Sequence, residues 1–107
     1  MLFHVAPLAD WAAEPTAPYR PATLATEGFV HCSADRETAL RIADTHFRAV
    51  PGPLLVLVLD EARLAAEVRW AGPFPHVYGP VERAAVTEVL EVLRGTDGRA
   101  PGLVPWR

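Results

Sequence analysis

Cysteine is nearly absent. Cys32 is the single thiol in 107 residues, which excludes an internal disulfide framework and fits a reducing cytoplasm. No basic stretch followed by an apolar core and a cleavage site opens the chain, so a cytoplasmic location is expected. The longest apolar run, Leu54 to Leu59, is far too short to span a bilayer, and no membrane partner is expected. Excess positive charge is also missing. A formal net charge of −3 gives no general pull toward nucleic acid or anionic lipid. Glycine-rich phosphate loops and dinucleotide fingerprints do not occur. No His or Cys pair has the close spacing of a zinc motif, and no metal is expected. Neither a repeat nor a low-complexity tract nor a long linker divides the chain, so residues 1–107 read as one domain.

What the chain does have is histidine inside apolar strings. Leu2-Phe3-His4-Val5 opens the sequence, Gly28-Phe29-Val30-His31-Cys32-Ser33 follows, and Phe74-Pro75-His76-Val77-Tyr78-Gly79-Pro80 comes last. Each sets one imidazole in a run that otherwise reads as buried strand. A buried polar ring without a partner is costly, so such a residue is either hydrogen-bonded or faces a cavity. Three such placements in one small chain point to a shared pocket.

Leu2 to Val5 reads as a first strand, and Leu8 to Ala13 as a short helix with Pro7 at its start. Glu14 to Ala22 holds three prolines and reads as a loop, with Tyr19 and Arg20 extended. Leu24 to Glu27 forms one helical turn ended by Gly28. Phe29 to Cys32 is the second strand. Ser33 is placed to cap the main helix, Ala34 to about Arg48, where Leu40, Ala43 and Phe47 recur at helical spacing. After Pro51-Gly52-Pro53, the uniformly apolar Leu54 to Leu59 predicts a central strand buried on both faces. Asp60 caps a turn over Glu61 to Leu64, and Glu67 to Trp70 is a further strand. Val86 to Leu93 fits helix and strand alike. Gly95 to Arg107 is expected to wrap the surface with Trp106 as an anchor. This order predicts an α+β fold with one main helix and short helices, not a regular doubly wound sheet.

The candidate chemistry has plain alternatives beside it. His31 and Ser33, two apart in a strand, share a face and could line one cavity. For an isolated pair, a satisfied core histidine beside a capping serine is the commoner arrangement. His76 and Tyr78 likewise share a face, ready to bond and stack on a planar ligand, or simply to pack in a rigid turn. Glu27, at the mouth of the second string, could bond a ribose hydroxyl or serve as a base, or face solvent. His46 reads as a surface or flanking residue. Cys32 should point away from His31, and a nucleophilic role for it competes with that of an inert small hydrophobe.

Taken together, Leu2-Phe3-His4-Val5, Trp11, Tyr19-Arg20, Leu24 to Ser33, Leu54 to Asp60, Val68-Arg69-Trp70 and Phe74 to Pro80 resemble the bacterial domain-of-unknown-function family 952 over residues 1–93. That family is similar at fold level to ADP-ribosyltransferases and NAD-dependent RNA 2′-phosphotransferases. The similarity implies a small split-sheet fold, its sheet mixed or antiparallel, with an NAD-sized cleft. In it, a first-strand His binds the adenosine ribose, and a second strand offers a His or aromatic near a Ser. By position, His4 resembles the first element and His31 with Ser33 the second. The chain departs from the family pattern at Ala71, where a Glu commonly follows the Arg-Trp pair, and in a short loop before Phe74. That removes one carboxylate candidate for ADP-ribosyl transfer. A 2′-phosphotransfer needs a strong anion site, for which Arg20 and Arg69 suggest themselves.

The expectation is therefore an NAD- or nucleotide-binding protein with ADP-ribosyltransferase-like or 2′-phosphotransferase-like chemistry. His31, Ser33 and Glu27 would carry the reaction, and His4, Arg20, His76 and Tyr78 would hold NAD. The alternative is a non-catalytic module that binds a small metabolite or a partner in the same histidine-lined pocket. Fold analogy alone is a weak warrant for either.

Overall fold

A computed structural model describes residues 1–95 and 100–106. Its strands are β1 (Leu2–Pro7), β2 (Val30–His31), β3 (Leu54–Leu59), β4 (Val68–Ala71), β5 (Phe74–Val77), β6 (Val86–Val92) and β7 (Leu103–Pro105). The α-helices are α1 (Leu8–Ala12), α2 (Ala22–Glu27) and α3 (Arg36–His46), with 3-10 turns at Glu61–Arg63 and Arg83–Ala85. One sheet runs β1-β3-β6-β7 and the other β2-β5-β4. Every strand pair between them is antiparallel. The expected mixed α+β class, with antiparallel sheets and few helices, is the one observed.

The apolar run Leu54–Leu59 explains how the layers stack. All six residues are buried, and successive side chains of a strand point to opposite faces. Leu55, Leu57 and Leu59 enter a core shared with Val30, Cys32 and Val77 of the smaller sheet's side. Leu54, Val56 and Val58 enter a second core with Ala39 and Ala43 of α3. The larger sheet is thus sandwiched between α3 and the smaller sheet. A strand buried on both faces has no use for polar alternation, which is why this run has none.

The chain segment after α2 stitches the sheets together. Val30 and His31 pair with Val77 and His76 of β5. Two residues later Ser33 has crossed to the free edge of β1. There its N–H donates to the Phe3 carbonyl at 2.7 Å and its carbonyl accepts from the Phe3 N–H at 2.9 Å. Ser33 is therefore not the cap of α3. Asp35 is, with its Oδ1 accepting from the Thr38 N–H at 2.7 Å. Helix α3 is correspondingly shorter than the expected Ala34 to Arg48.

Val86–Val92 is a strand, paired with β3 on one side and β7 on the other. The tail does not merely wrap the surface: Leu103–Pro105 extends the larger sheet. Trp106 donates its N–H to the Val89 carbonyl and packs against the core. The rest of the tail reading, at residues 96–99 and 107, lies outside the described residues. No helix among the described residues is long and apolar enough to cross a membrane.

Candidate functional site

A cleft of about 420 Å³ opens where β1, the β2–Ser33 crossing, β5 and α3 meet. Its size falls in the range of small-molecule sites, about 300–1,000 Å³. The polar lining includes His4, His31, Ser33 and His76, four of the residues expected from the sequence. His46 joins them, so every histidine of the chain borders one concavity. Phe3, Phe47 and Phe74 supply apolar walls. Among the described residues, no Arg, Lys, Asp or Glu lines it. His46 is exposed on α3, as a flanking residue should be. Only the fold reveals that the last turn of α3 leans over the cleft.

Glu27 reaches the cleft through His31. Gly28, at φ +83°, caps α2 in the left-handed region and donates its N–H to the Leu24 carbonyl. Such a conformation strains any residue with a Cβ. The tight turn brings the Glu27 carboxylate to 2.6 Å from His31 Nε2. Both side chains are about half exposed, at 46% and 51%. The carboxylate accepts the Nε2 proton and fixes the ring orientation, which leaves Nδ1 as the nitrogen free to meet a ligand.

His4 lies deeper and is 6% exposed. Its Nδ1–H donates to the His31 carbonyl at 2.5 Å, so Nε2 carries the lone pair in the neutral ring. Burial pushes its pKa down to about 4, against an opposing effect of the carbonyl bond and a reinforcing one from His31. His4 is therefore neutral at pH 7, and its buried Nε2 has no partner among the described residues.

His76 stands edge-on to His31, ring centroids 5.5 Å apart, and stacks on Phe29 at 3.9 Å with only 13° between the planes. Burial and then His31 lower its pKa, while Glu27 acts in the opposite sense. Tyr78, two residues on, is outside the cleft lining. It leans toward Phe29 at 5.4 Å and lies beneath the Arg69 guanidinium at 4.7 Å. These rings share the outer face of the smaller sheet, next to the cleft.

The expectation for Arg20 needs correction. Arg20 is not in the cleft. It is exposed beside a separate hollow formed with Asp10, Glu14, Tyr19 and Arg83. Tyr19 turns inward and exchanges two backbone hydrogen bonds with Val81, and this pins the neighbouring Arg20 in that separate hollow. Cys32 does border the cleft, but it is 3% exposed and burial pushes its thiol up to about 12. A thiol at that value is no nucleophile near neutrality. Among the described residues, no three His, Cys, Asp or Glu side chains gather as a metal site.

The comparisons follow this geometry. The crystal structure of protein CC0527 from Caulobacter crescentus is similar at 27% identity and a TM-score of 0.77, over 92% of this chain and 91% of that one. A double mutant of the same protein matches at 26% identity with the same TM-score and coverage. No curated protein matches the chain. The family model described as "Protein of unknown function (DUF952)" matches residues 5–89, from within β1 into β6, including the cleft residues from Val5 to His76. This chain belongs to the DUF952 family.

Proposed function

We propose that this protein binds a nucleotide in the histidine-lined cleft, with NAD the first candidate and an ADP-ribosyltransferase-like fold as its setting. The observation that carries the reading is the convergence of His4, His31, Ser33 and His76 on one concavity with phenylalanine walls. Aromatic and aliphatic walls suit a planar base, and a few placed polar groups fix its orientation. His31 Nδ1 faces the ligand as the ring's acceptor, with Glu27 holding the other ring nitrogen. Ser33 orients the sugar, and His76 contacts a ring. Tyr78 extends the aromatic surface beyond the cleft.

The chemistry attached to this reading is transfer at the ribose carbon bonded to nicotinamide. The C–N bond breaks and nicotinamide leaves with the electron pair. An acceptor oxygen forms the new C–O bond, and its proton passes to His31 Nδ1. The oxocarbenium-like state between these events needs electrostatic support from the pocket. One observation favours the second reading, a non-catalytic binding module: no carboxylate lines the cleft among the described residues, and Glu27 acts only through His31.

Calorimetric titration with NAD, ADP-ribose and adenosine tests the binding claim, and absence of heat with all three would sink it. Incubation with NAD then separates the readings. Nicotinamide release that falls at least tenfold in His31→Ala supports transfer, while tight binding without release supports the module. Turnover indifferent to His31→Ala rejects the assigned site.

A further inference from the structure

Among the described residues no arginine lines the cleft, yet the nucleotide proposed for it carries phosphates. Outside the cleft, the smaller sheet supplies what is missing. In its register His31 lies opposite His76 on β5, and His76 lies opposite Arg69 on β4. Directly paired residues share a face, with Cβ atoms about 5 Å apart. Their neighbours Val30, Val77 and Val68 also pair across the three strands, and on them the burial is greater: Val30 and Val77 are fully buried. The imidazoles and the guanidinium therefore form one outward row, and its His31 and His76 end is also the cleft wall.

Arg69 is held in this row without being used up. Its Nε donates to both Glu67 carboxylate oxygens, at 2.9 and 3.0 Å, and its plane covers Tyr78. No hydrogen bond engages its Nη groups among the described residues, and the side chain is 65% exposed. His76 packs by its ring face on Phe29, which leaves the ring edge and its N–H for a partner. Arg20, the other arginine suggested by the sequence, sits by a different hollow.

We propose that Arg69 and His76 form a phosphate subsite at the mouth of the cleft, with the ligand's base and ribose inside and its phosphates on the outer face of the β4–β5 hairpin. The proposal rests on the nucleotide reading above and specifies it: the ligand is a nucleoside phosphate rather than a nucleoside. Arg69 donates two Nη–H bonds to phosphate oxygens, and His76 donates one from its ring. Such charge-assisted bonds are roughly twice as strong as neutral ones. Glu67 sets the orientation of Arg69 but also opposes an anion, so its removal has a sign of its own.

The test compares adenosine with ADP by calorimetry, using the wild-type chain, Arg69→Gln and Glu67→Gln. Circular dichroism checks that both variants fold. Wild-type protein is expected to bind ADP at least tenfold more tightly than adenosine. Arg69→Gln should remove that advantage and leave adenosine unchanged, whereas Glu67→Gln should increase it. ADP no tighter than adenosine overturns the subsite while the nucleotide reading stands. So does an ADP advantage that survives Arg69→Gln. Binding of neither ligand overturns both.

Discussion

At the residue scale, the decisive quantity is the cost of burying an imidazole. From sequence, that cost was expected at His4, His31 and His76 alike; the fold imposes it on His4, which is 6% exposed, while His31 is half exposed and His76 partly so. That cost governs what His4 does to stability. An unfolded histidine titrates near 6.5, whereas His4 in the fold titrates at about 4. Between those values the unfolded chain binds a proton that the native chain refuses, so stability falls as pH drops through the window. The contribution is fully present above about pH 6.5 and is lost by pH 4, amounting to about 3 kcal/mol. Urea unfolding of wild type and His4→Gln at pH 7 and pH 4.5 measures it. Wild type should lose roughly 2 kcal/mol more than the variant on acidification, and equal losses would show that His4 is not the neutral buried group described. Arg20 was harder to place. It was put forward beside Arg69 as the anion site that a 2′-phosphotransfer needs, and only the Tyr19–Val81 pairing and the separate hollow reveal where it lies.

At the element scale, local signals worked where one physical cause dominated. Gly28 ends α2 because the left-handed turn requires it, and Asp60 caps its 3-10 turn through the Ala62 N–H. The sequence pointed to Ser33 as the cap of α3, and the structure gives that place to Asp35. The choice follows from a non-local fact: the backbone of Ser33 is already committed to Phe3. Asp35→Ala should lower the melting temperature and reduce helical protection at Thr38, while Ser33→Ala should leave that protection intact. Hydrogen exchange at the Thr38 amide distinguishes the two, and equal loss in both variants would contradict the assignment. Val86–Val92 was ambiguous for a similar reason. Val86, Val89 and Leu90 fit a helical stripe, but β3 needs a hydrogen-bonding partner on the side away from β1, and β6 supplies it.

At the scale of the whole molecule, the cleft belongs to no single element. It exists because residues 30–33 leave the smaller sheet and join the edge of β1, so that one short segment presents His31, Cys32 and Ser33 to the seam between two sheets and α3. The histidine strings foretold the polar lining, with His4 on β1, His31 on β2 and His76 on β5 all bordering that seam. The phenylalanine walls and His46 were not foretold, because nothing in a helix's own spacing tells which cavity its last turn overhangs. This construction makes a global prediction. An occupant touching β1, β2, α3 and β5 binds only the native state, so ligand at a hundred times its dissociation constant should stabilise the protein by about 2.7 kcal/mol. The protection should be regional as well. Amides of Phe3, Cys32 and Ser33, and those at the end of α3, should slow their exchange together, because they close one seam. Those of residues 14–20, beside the Arg20 hollow, should not change. Protection centred on Arg20 and Arg83 instead would move the binding site to the opposite hollow and remove the histidine cleft from the function.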